Sequence, residues 1–185
     1  MEYYEKTLSK KHIYTGGIIE LDVLEVELPD GNISKRDIVS HPGAAVVIPI
    51  SSDGEIYMVR QYRKPIERIT LEIPAGKLDP GEEPLDCAKR ELMEETGLTA
   101  KHMKHLTSIH STPGFSNEIL HMYAAVDLKE GQPDADPDEF ISCEKLPVKQ
   151  LIQMVMTNQI TDAKTIIGIL LAEKIIKGEI EAVDS

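Results

Sequence analysis

Three glutamates stand close together in the segment 84–96, at spacings that matter if the segment is helical. At about 100° per residue, Glu91 and Glu95 project from the same face of a helix, and Glu94 lies on the adjoining edge. Like charges four residues apart repel each other by roughly 0.2–0.5 kcal/mol per pair, and acids near a helix C-terminus oppose its dipole. Gathered carboxylate oxygens suit a hard divalent cation, which could clamp a diphosphate and activate water. A solvated acidic helix face is the alternative interpretation.

The surrounding residues predict where this helix begins and ends. Pro84 suits the first helical turn, and Gly97 suits the left-handed residue that follows the last turn, so we expect a helix over 84–96. The preceding Pro80-Gly81 pair is typical of a turn. A neighbouring apolar stripe can dock on a core, and it consists of Leu85, Ala88 and Leu92. The acids are therefore expected at an edge of the protein, beside a Gly/Pro loop.

The pattern as a whole resembles the Nudix box, G-x5-E-x7-R-E-U-x-E-E-x-G-U, in which U is an aliphatic residue. Every fixed position is matched, by Gly76, Glu82, Arg90, Glu91, Leu92, Glu94, Glu95, Gly97 and Leu98. Seven specified residues would coincide by chance on the order of once in 10⁹ starting points. The resemblance implies a Nudix hydrolase, whose family cleaves nucleoside diphosphates linked to another group with the help of divalent cations. It also implies the family fold, an α/β/α sandwich built on a mixed β-sheet.

The same resemblance implies roles for individual residues of the box. Glu91 and Glu95 are the implied principal metal ligands, with Glu94 assisting. The family also uses the backbone carbonyl just before the first box glycine, which here belongs to Ala75. The positions implied to be structural, or to orient the carboxylates, are Gly76, Glu82, Arg90 and Gly97. Glu94 and Arg90 count in addition as supporting catalysis, and a purely structural role is the alternative for each.

Features outside the box resemble the ADP-ribose pyrophosphatase branch of the family. Pro113 lies 15 residues beyond Leu98, about where that branch carries its marker proline, and we expect Pro113-Gly114 to contact substrate. An ordinary Pro-Gly loop is the alternative. Longer stretches that resemble the branch are 36–50, 59–65, 71–82 and 162–174. The resemblance to this branch implies hydrolysis of ADP-ribose to AMP and ribose 5-phosphate.

Substrate contacts are implied by the branch resemblance as well. Arg36 and Arg63 are expected at the phosphates or the nucleoside end, with surface salt bridges as the alternative. Glu72 is expected to bind sugar hydroxyls or the adenine edge. The family often stacks adenine on an N-terminal aromatic residue. The corresponding stretch 14–19 departs from that pattern and offers Tyr14 as the candidate.

A glutamate on a separate loop is implied to position or deprotonate the attacking water. The segment 130–139 has two prolines and five acidic side chains, so it is expected to be a loop. Glu139 aligns best with the family glutamate, and Asp138 and Asp136 are the alternatives. In-line attack would rely on positioning and charge stabilisation, without a covalent protein intermediate.

The hydrophobic pattern predicts a mixed α/β domain that would position these residues. Strands are expected at 21–28, 34–39, 44–50, 56–62, 70–73 and 119–126. Helices are expected at 84–96, 148–157 and 162–177. We expect residues 1–41 to form a strand and hairpin region that supplies dimer and substrate contacts, and residues 42–185 to form the Nudix hydrolase domain.

Composition narrows the classes of partner. The 185 residues include 20 basic and 32 acidic side chains, a net charge of −12, which is the wrong sign for nucleic-acid binding. No apolar run approaches the roughly 18 residues that span a bilayer, and the N-terminus lacks the order of a secretory signal, so a cytoplasmic location is expected. We therefore expect a small nucleotide-sugar substrate, Mg²⁺ with Mn²⁺ as a substitute, and no nucleic-acid or membrane partner. The resemblance to the family also implies that the protein forms a homodimer.

Two other functions stay open at the level of sequence. One is a broader nucleoside-diphosphate-sugar pyrophosphatase that acts on ADP-glucose, GDP-mannose or similar compounds. The other is a non-catalytic Nudix domain that senses a nucleotide. Sensing domains typically lose box acids, whereas this sequence keeps all of them.

Overall fold

The computed structural model describes residues 3–133 and 140–183, and within them the chain forms ten strands and three α-helices. The chain divides into two compact units, one made of Met1–Gly43 with His110–Ile119 and the other of Ala44–Ile109 with Leu120–Ser185. The first three strands are β1 (Lys6–Thr15), β2 (Glu20–Glu27) and β3 (Ile33–Ser40). The next four are β4 (Ala44–Pro49), β5 (Glu55–Arg63), β6 (Arg68–Glu72) and β7 (Ala75–Lys77). The remaining elements are α1 (Pro84–Thr96), β8 (Leu98–His110), β9 (Ile119–Glu130), β10 (Ser142–Pro147), α2 (Val148–Met156) and α3 (Ala163–Ile176).

The first unit is built on an antiparallel sheet in the order β1-β2-β3. The predicted hairpin of β2 and β3 is confirmed, with Gly31 at a φ of 84° in the turn between them. The sequence does not predict β1, because its ten residues are all exposed and lack the alternation of a half-buried strand. β1 is therefore an edge strand with neither face covered.

The second unit holds the mixed sheet that the sequence resemblance implied. Its order is β7-β4-β9-β8, with β4 parallel to β9 and antiparallel to β7. A separate antiparallel sheet has the order β10-β5-β6. The sequence does not predict β7, β8 or β10. β7 has only three residues, and the residues of β8 and β10 are mostly polar and largely exposed or half-buried.

Both faces of β4 are covered, which explains its continuous apolar sequence. On one face Val46 and Ile48 pack in a cluster with Leu151 of α2 and Ile169 of α3. On the opposite face Ala45 and Val47 pack with Ala88 and Leu92 of α1. Helices on both sides of a mixed sheet confirm the predicted α/β/α sandwich.

Helix α1 has the bounds that its end residues predict. Pro84 stands in the first turn, and Gly97 follows the last turn at a φ of 72°, donating its N–H to the Met93 carbonyl at 2.8 Å. A Cβ at Gly97 would lie 2.7 Å from the nitrogen of Pro133, so the position also requires glycine for space. No helix among the described residues is long and apolar enough to cross a membrane.

Candidate functional site

Two box glutamates of α1, Glu91 and Glu95, face the short strand β7. Glu91 and Glu95 are only 8% and 5% exposed, which is unusual for carboxylates unless protein groups or ions engage them. The N–H of Ala75 donates to Glu95 Oε2 at 3.1 Å. A Cβ at Gly76 would overlap the Glu91 carboxylate, so glycine lets the carboxylate approach the strand. The structure thus brings Glu91, Glu95 and the Ala75–Gly76 backbone together.

Arg90 holds the box carboxylates in place. Its Nε and Nη2 donate to the two oxygens of Glu82 at 2.9 Å each. Its Nη1 donates to Glu91 at 2.6 Å and to Glu94 at 2.9 Å. One guanidinium therefore offsets much of the repulsion expected among the acids.

Protonation follows from the same contacts. The hydrogen bonds from Arg90 outweigh partial burial and lower the pKa of Glu82 to about 2. The hydrogen bond with Glu82 also raises the pKa of Arg90 above its usual range. The Arg90–Glu82 pair is fully ionised at neutral pH, and this ionisation makes Arg90 a fixed donor for Glu91 and Glu94.

The donor chemistry of this cluster fits a hard divalent cation. The Glu95 carboxylate lies beside the backbone of Ala75 and the Glu91 carboxylate beside that of Gly76, and the carbonyl of Ala75 is the remaining implied ligand. In residues 3–133 and 140–183 no group of three His, Cys, Asp or Glu side chains forms a ready-made metal cluster. Mg²⁺ keeps several waters and takes only one or two protein carboxylates, so such a cluster is not required. The individual ligand roles stay predictions.

A second charged cluster in the same unit surrounds Glu72. Both oxygens of Glu72 accept hydrogen bonds from Arg63, at 2.8 Å from Nε and 2.8 Å from Nη2. Thr70 and Lys164 also donate to this carboxylate. A cavity of about 450 Å³ adjoins the cluster, and Arg63, Glu72 and Lys164 are among its lining residues.

Glu72 is ionised although it is buried. Burial by itself would raise its pKa, but the hydrogen bonds and charges of Arg63 and Lys164 outweigh burial and lower the pKa to about 2. The sequence resemblance implies that Glu72 binds sugar hydroxyls or adenine, and nothing in the sequence marks Thr70 or Lys164. These protein donors engage the carboxylate, and its contact with substrate stays a prediction.

Four of the expected substrate contacts belong to the first unit. Arg36 forms a bidentate ion pair with Glu5, with its Nε and Nη2 at 2.9 and 2.6 Å from the carboxylate. This pair is the salt-bridge alternative that the sequence analysis left open. Pro113 and Gly114 lie in a turn that the 3.3 Å hydrogen bond from the Phe115 N–H to the Thr112 carbonyl closes.

Tyr14, the candidate for adenine stacking, is an exposed residue of β1. It also belongs to the first unit. Glu139 and its alternatives Asp138 and Asp136 lie outside the described residues. The structure therefore does not test the assignment of the loop acid.

Comparison with known proteins assigns the family. The NUDIX domain family matches residues 39–167, so this chain belongs to the Nudix family. An ADP-ribose pyrophosphatase of Bacillus subtilis (strain 168) is 46% identical over 163 residues, covering 87% of this chain and 88% of the relative. A methanol dehydrogenase activator of Bacillus methanolicus is 45% identical over 169 residues, covering 90% and 91%.

A solved structure confirms the fold independently. The crystal structure of an ADP compounds hydrolase matches 99% of this chain and 100% of its own with a TM-score of 0.85, at 20% sequence identity. The predictions of the family, of the fold class and of an enzyme are therefore confirmed: the chain is a Nudix hydrolase. Nudix hydrolases generally use divalent metal ions.

Proposed function

We propose that this Nudix hydrolase cleaves the diphosphate of ADP-ribose to give AMP and ribose 5-phosphate, with Mg²⁺ as its cofactor and Mn²⁺ as a substitute. The observation that carries the substrate assignment is the 46% identity to the Bacillus subtilis ADP-ribose pyrophosphatase across 88% of that relative. Support for the chemistry comes from the two buried glutamates of the box, which face the Ala75–Gly76 backbone.

The box residues would hold the cofactor. Glu91, Glu95 and the Ala75 carbonyl are the proposed ligands, with Glu94 assisting. When bound, divalent ions supply charge neutralisation of a diphosphate and activation of water. Arg90 keeps the carboxylates of Glu91 and Glu94 oriented through its Nη1, so little reorganisation is needed when the ions bind.

Substrate would be oriented by groups outside the box. Arg63 donates two N–H groups to Glu72 and retains others for a phosphate oxygen. Arg36, Pro113 and Gly114 are proposed as further contacts with substrate. Glu139 is proposed to orient the attacking water for in-line displacement at phosphorus, on the sequence resemblance alone. The rate would arise from positioning and electrostatic stabilisation.

We further propose a homodimer assembled through the N-terminal region. The support is the number of large apolar side chains that the first unit exposes: Tyr3, Tyr4, Leu8, Ile13, Tyr14, Ile18, Ile19 and Ile33. Apolar patches and uncovered edge strands such as β1 mark interaction surfaces. Sedimentation equilibrium should give twice the mass of one chain, and a monomer at micromolar concentration would contradict the proposal. The cytoplasmic location stays a prediction.

The substrate is tested by comparing kcat/KM with Mg²⁺ for ADP-ribose, ADP-glucose and GDP-mannose. We expect ADP-ribose to exceed the others by at least about tenfold, because a site built for one sugar leaves polar groups unpaired with another. Equal values would replace the proposal by a broader nucleoside-diphosphate-sugar pyrophosphatase. Because a relative from Bacillus methanolicus is a methanol dehydrogenase activator, the protein is also assayed for stimulation of a methanol dehydrogenase. Stimulation without turnover of ADP-ribose would overturn the proposal.

A further inference from the structure

Two cations share the buried carboxylate of Glu72. The side chain of Glu72 is 3% exposed, that of Lys164 13% and that of Arg63 38%. Arg63 donates one hydrogen bond to each carboxylate oxygen, and Lys164 donates a further one to Oε2. Arg63 is thus the outer cation of the cluster and Lys164 the inner one.

Lys164 is itself fixed by the start of helix α3. Its Nζ lies 2.9 Å from Asp162 Oδ2. Asp162 caps the helix by accepting from the N–H of Thr165 at 3.0 Å and from its hydroxyl at 2.6 Å. The Thr165 hydroxyl oxygen accepts in turn from the N–H of Ile73 at 3.1 Å. The helix start is therefore tied to the residue that follows Glu72, which leaves Lys164 little freedom.

The outer face of Arg63 is available to a ligand. Its Nη1 donates no hydrogen bond within the part of the chain that the structure describes. The guanidinium lines the cavity of about 450 Å³. Besides the hydrogen bond to Glu72, the nearby charge of Glu95 contributes to raising the pKa of Arg63, so the guanidinium lies within electrostatic reach of the box.

The net charge of the cluster around Glu72 depends on Lys164. Within the hydrogen-bonded cluster Arg63 and Lys164 balance Glu72 and Asp162. Arg68 adds a positive charge to the lining of the cavity, so the site can receive an anion. Without Lys164 the cluster would carry one net negative charge, and Glu72 would hold Arg63 with less support. Both changes disfavour an anionic ligand at the outer face of Arg63.

We propose that Lys164 is a positioning residue that acts through Glu72 to hold Arg63 ready for the diphosphate of the substrate. This inference rests on the proposed function, because Arg63 is the group that meets substrate. Neither Lys164 nor Asp162 touches the reacting atoms. Their contribution is to the binding of substrate in its ground state and transition state alike, and such uniform binding changes KM rather than kcat.

The experiment compares Lys164→Met with Lys164→Arg and with Lys149→Met, which removes the same charge from an exposed position of α2. We expect Lys164→Met to raise KM about tenfold with kcat within about threefold of the parent. Lys164→Arg should restore KM to within about threefold, and Lys149→Met should leave both constants unchanged. Thermal unfolding of each variant identifies any loss of fold.

A double variant separates positioning from a general structural role. If Lys164 acts through Arg63, Lys164→Met should raise KM by a smaller factor in the Arg63→Gln background than in the parent, because only the effect of the lost charge remains there. Additive losses, an unchanged KM in Lys164→Met, or an equal loss in kcat would each overturn the proposal. The KM and kcat of every variant are measured relative to those of the parent enzyme, with whichever of ADP-ribose, ADP-glucose and GDP-mannose the parent hydrolyses fastest. Failure of ADP-ribose as a substrate is thereby distinguished from failure of Lys164 as a positioning residue.

Discussion

Replacing Arg90 by methionine tests whether one guanidinium holds the box carboxylates together. Arg90 is the largest of the groups that lower the pKa of Glu82 from 4.5 to about 2, and the N–H of Asp79 contributes as well. At about 1.36 kcal/mol per pH unit, the whole lowering corresponds to about 3.4 kcal/mol of folding free energy, of which Arg90 contributes the largest share. Because 31% of the Arg90 side chain is exposed to screening solvent, we expect Arg90→Met to lower the free energy of unfolding by about 2 kcal/mol at pH 7.

The sign of the pH dependence follows from the same shift. The folded-state pKa of Glu82 is depressed, so its stabilisation is present above about pH 4.5 and is lost as pH falls toward about 2. Urea unfolding should show the difference between parent and Arg90→Met falling by more than half between pH 7 and pH 3.

Lys89→Met is the matched control for this prediction. Lys89 lies next to Arg90 on α1, but its ion pair with Asp86 is exposed on both sides, so the cost should stay below about 0.5 kcal/mol. A destabilisation by Arg90→Met that is equal to the control, or that is the same at pH 3 and pH 7, would refute the role assigned to Arg90.

Three further substitutions test the site. Glu95→Gln should abolish turnover of ADP-ribose while the melting temperature changes little. The amide oxygen can still accept a hydrogen bond from the Ala75 N–H, but it carries no charge to bind a cation. Wild-type activity at low Mg²⁺ would contradict the assignment of Glu95 as a metal ligand. Gly76→Ala should raise the Mg²⁺ concentration that gives the half-maximal rate by about tenfold or more, because the added Cβ displaces the Glu91 carboxylate. An unchanged dependence of the rate on Mg²⁺ concentration would argue against this packing. Glu139→Gln should lower kcat by about 10²-fold with little change in the dependence of the rate on Mg²⁺ concentration. An unaffected rate would move the role of orienting the attacking water to Asp138 or Asp136.

The sequence predicts helix α1 best because both of its ends are chemically marked. Pro84 and Gly97 fix the first and last turns, and the 3.6-residue period then places Glu91 and Glu95 on one face. The strands that the sequence analysis missed have the opposite character. Every residue of β1 is exposed, so no apolar alternation marks it.

Contacts between distant residues explain the rest of what the sequence could not predict. Lys164 meets Glu72 across 92 positions of the chain, and neither residue type at either position indicates the other. Arg90 and Glu94 are a helical pair that spacing alone suggests, whereas the bidentate partner Glu82 comes from the preceding loop. The box motif supplies the residue types, and the fold decides which of them touch.

The most direct test of the central claim is a chromatographic assay of ADP-ribose incubated with the enzyme in Mg²⁺ and, in parallel, in EDTA. We expect AMP and ribose 5-phosphate in equal amounts with Mg²⁺ and neither product in EDTA, and we expect Glu95→Gln to lose the Mg²⁺-dependent reaction. Absence of both products in Mg²⁺ from folded enzyme, or their undiminished formation in EDTA, would contradict the claim.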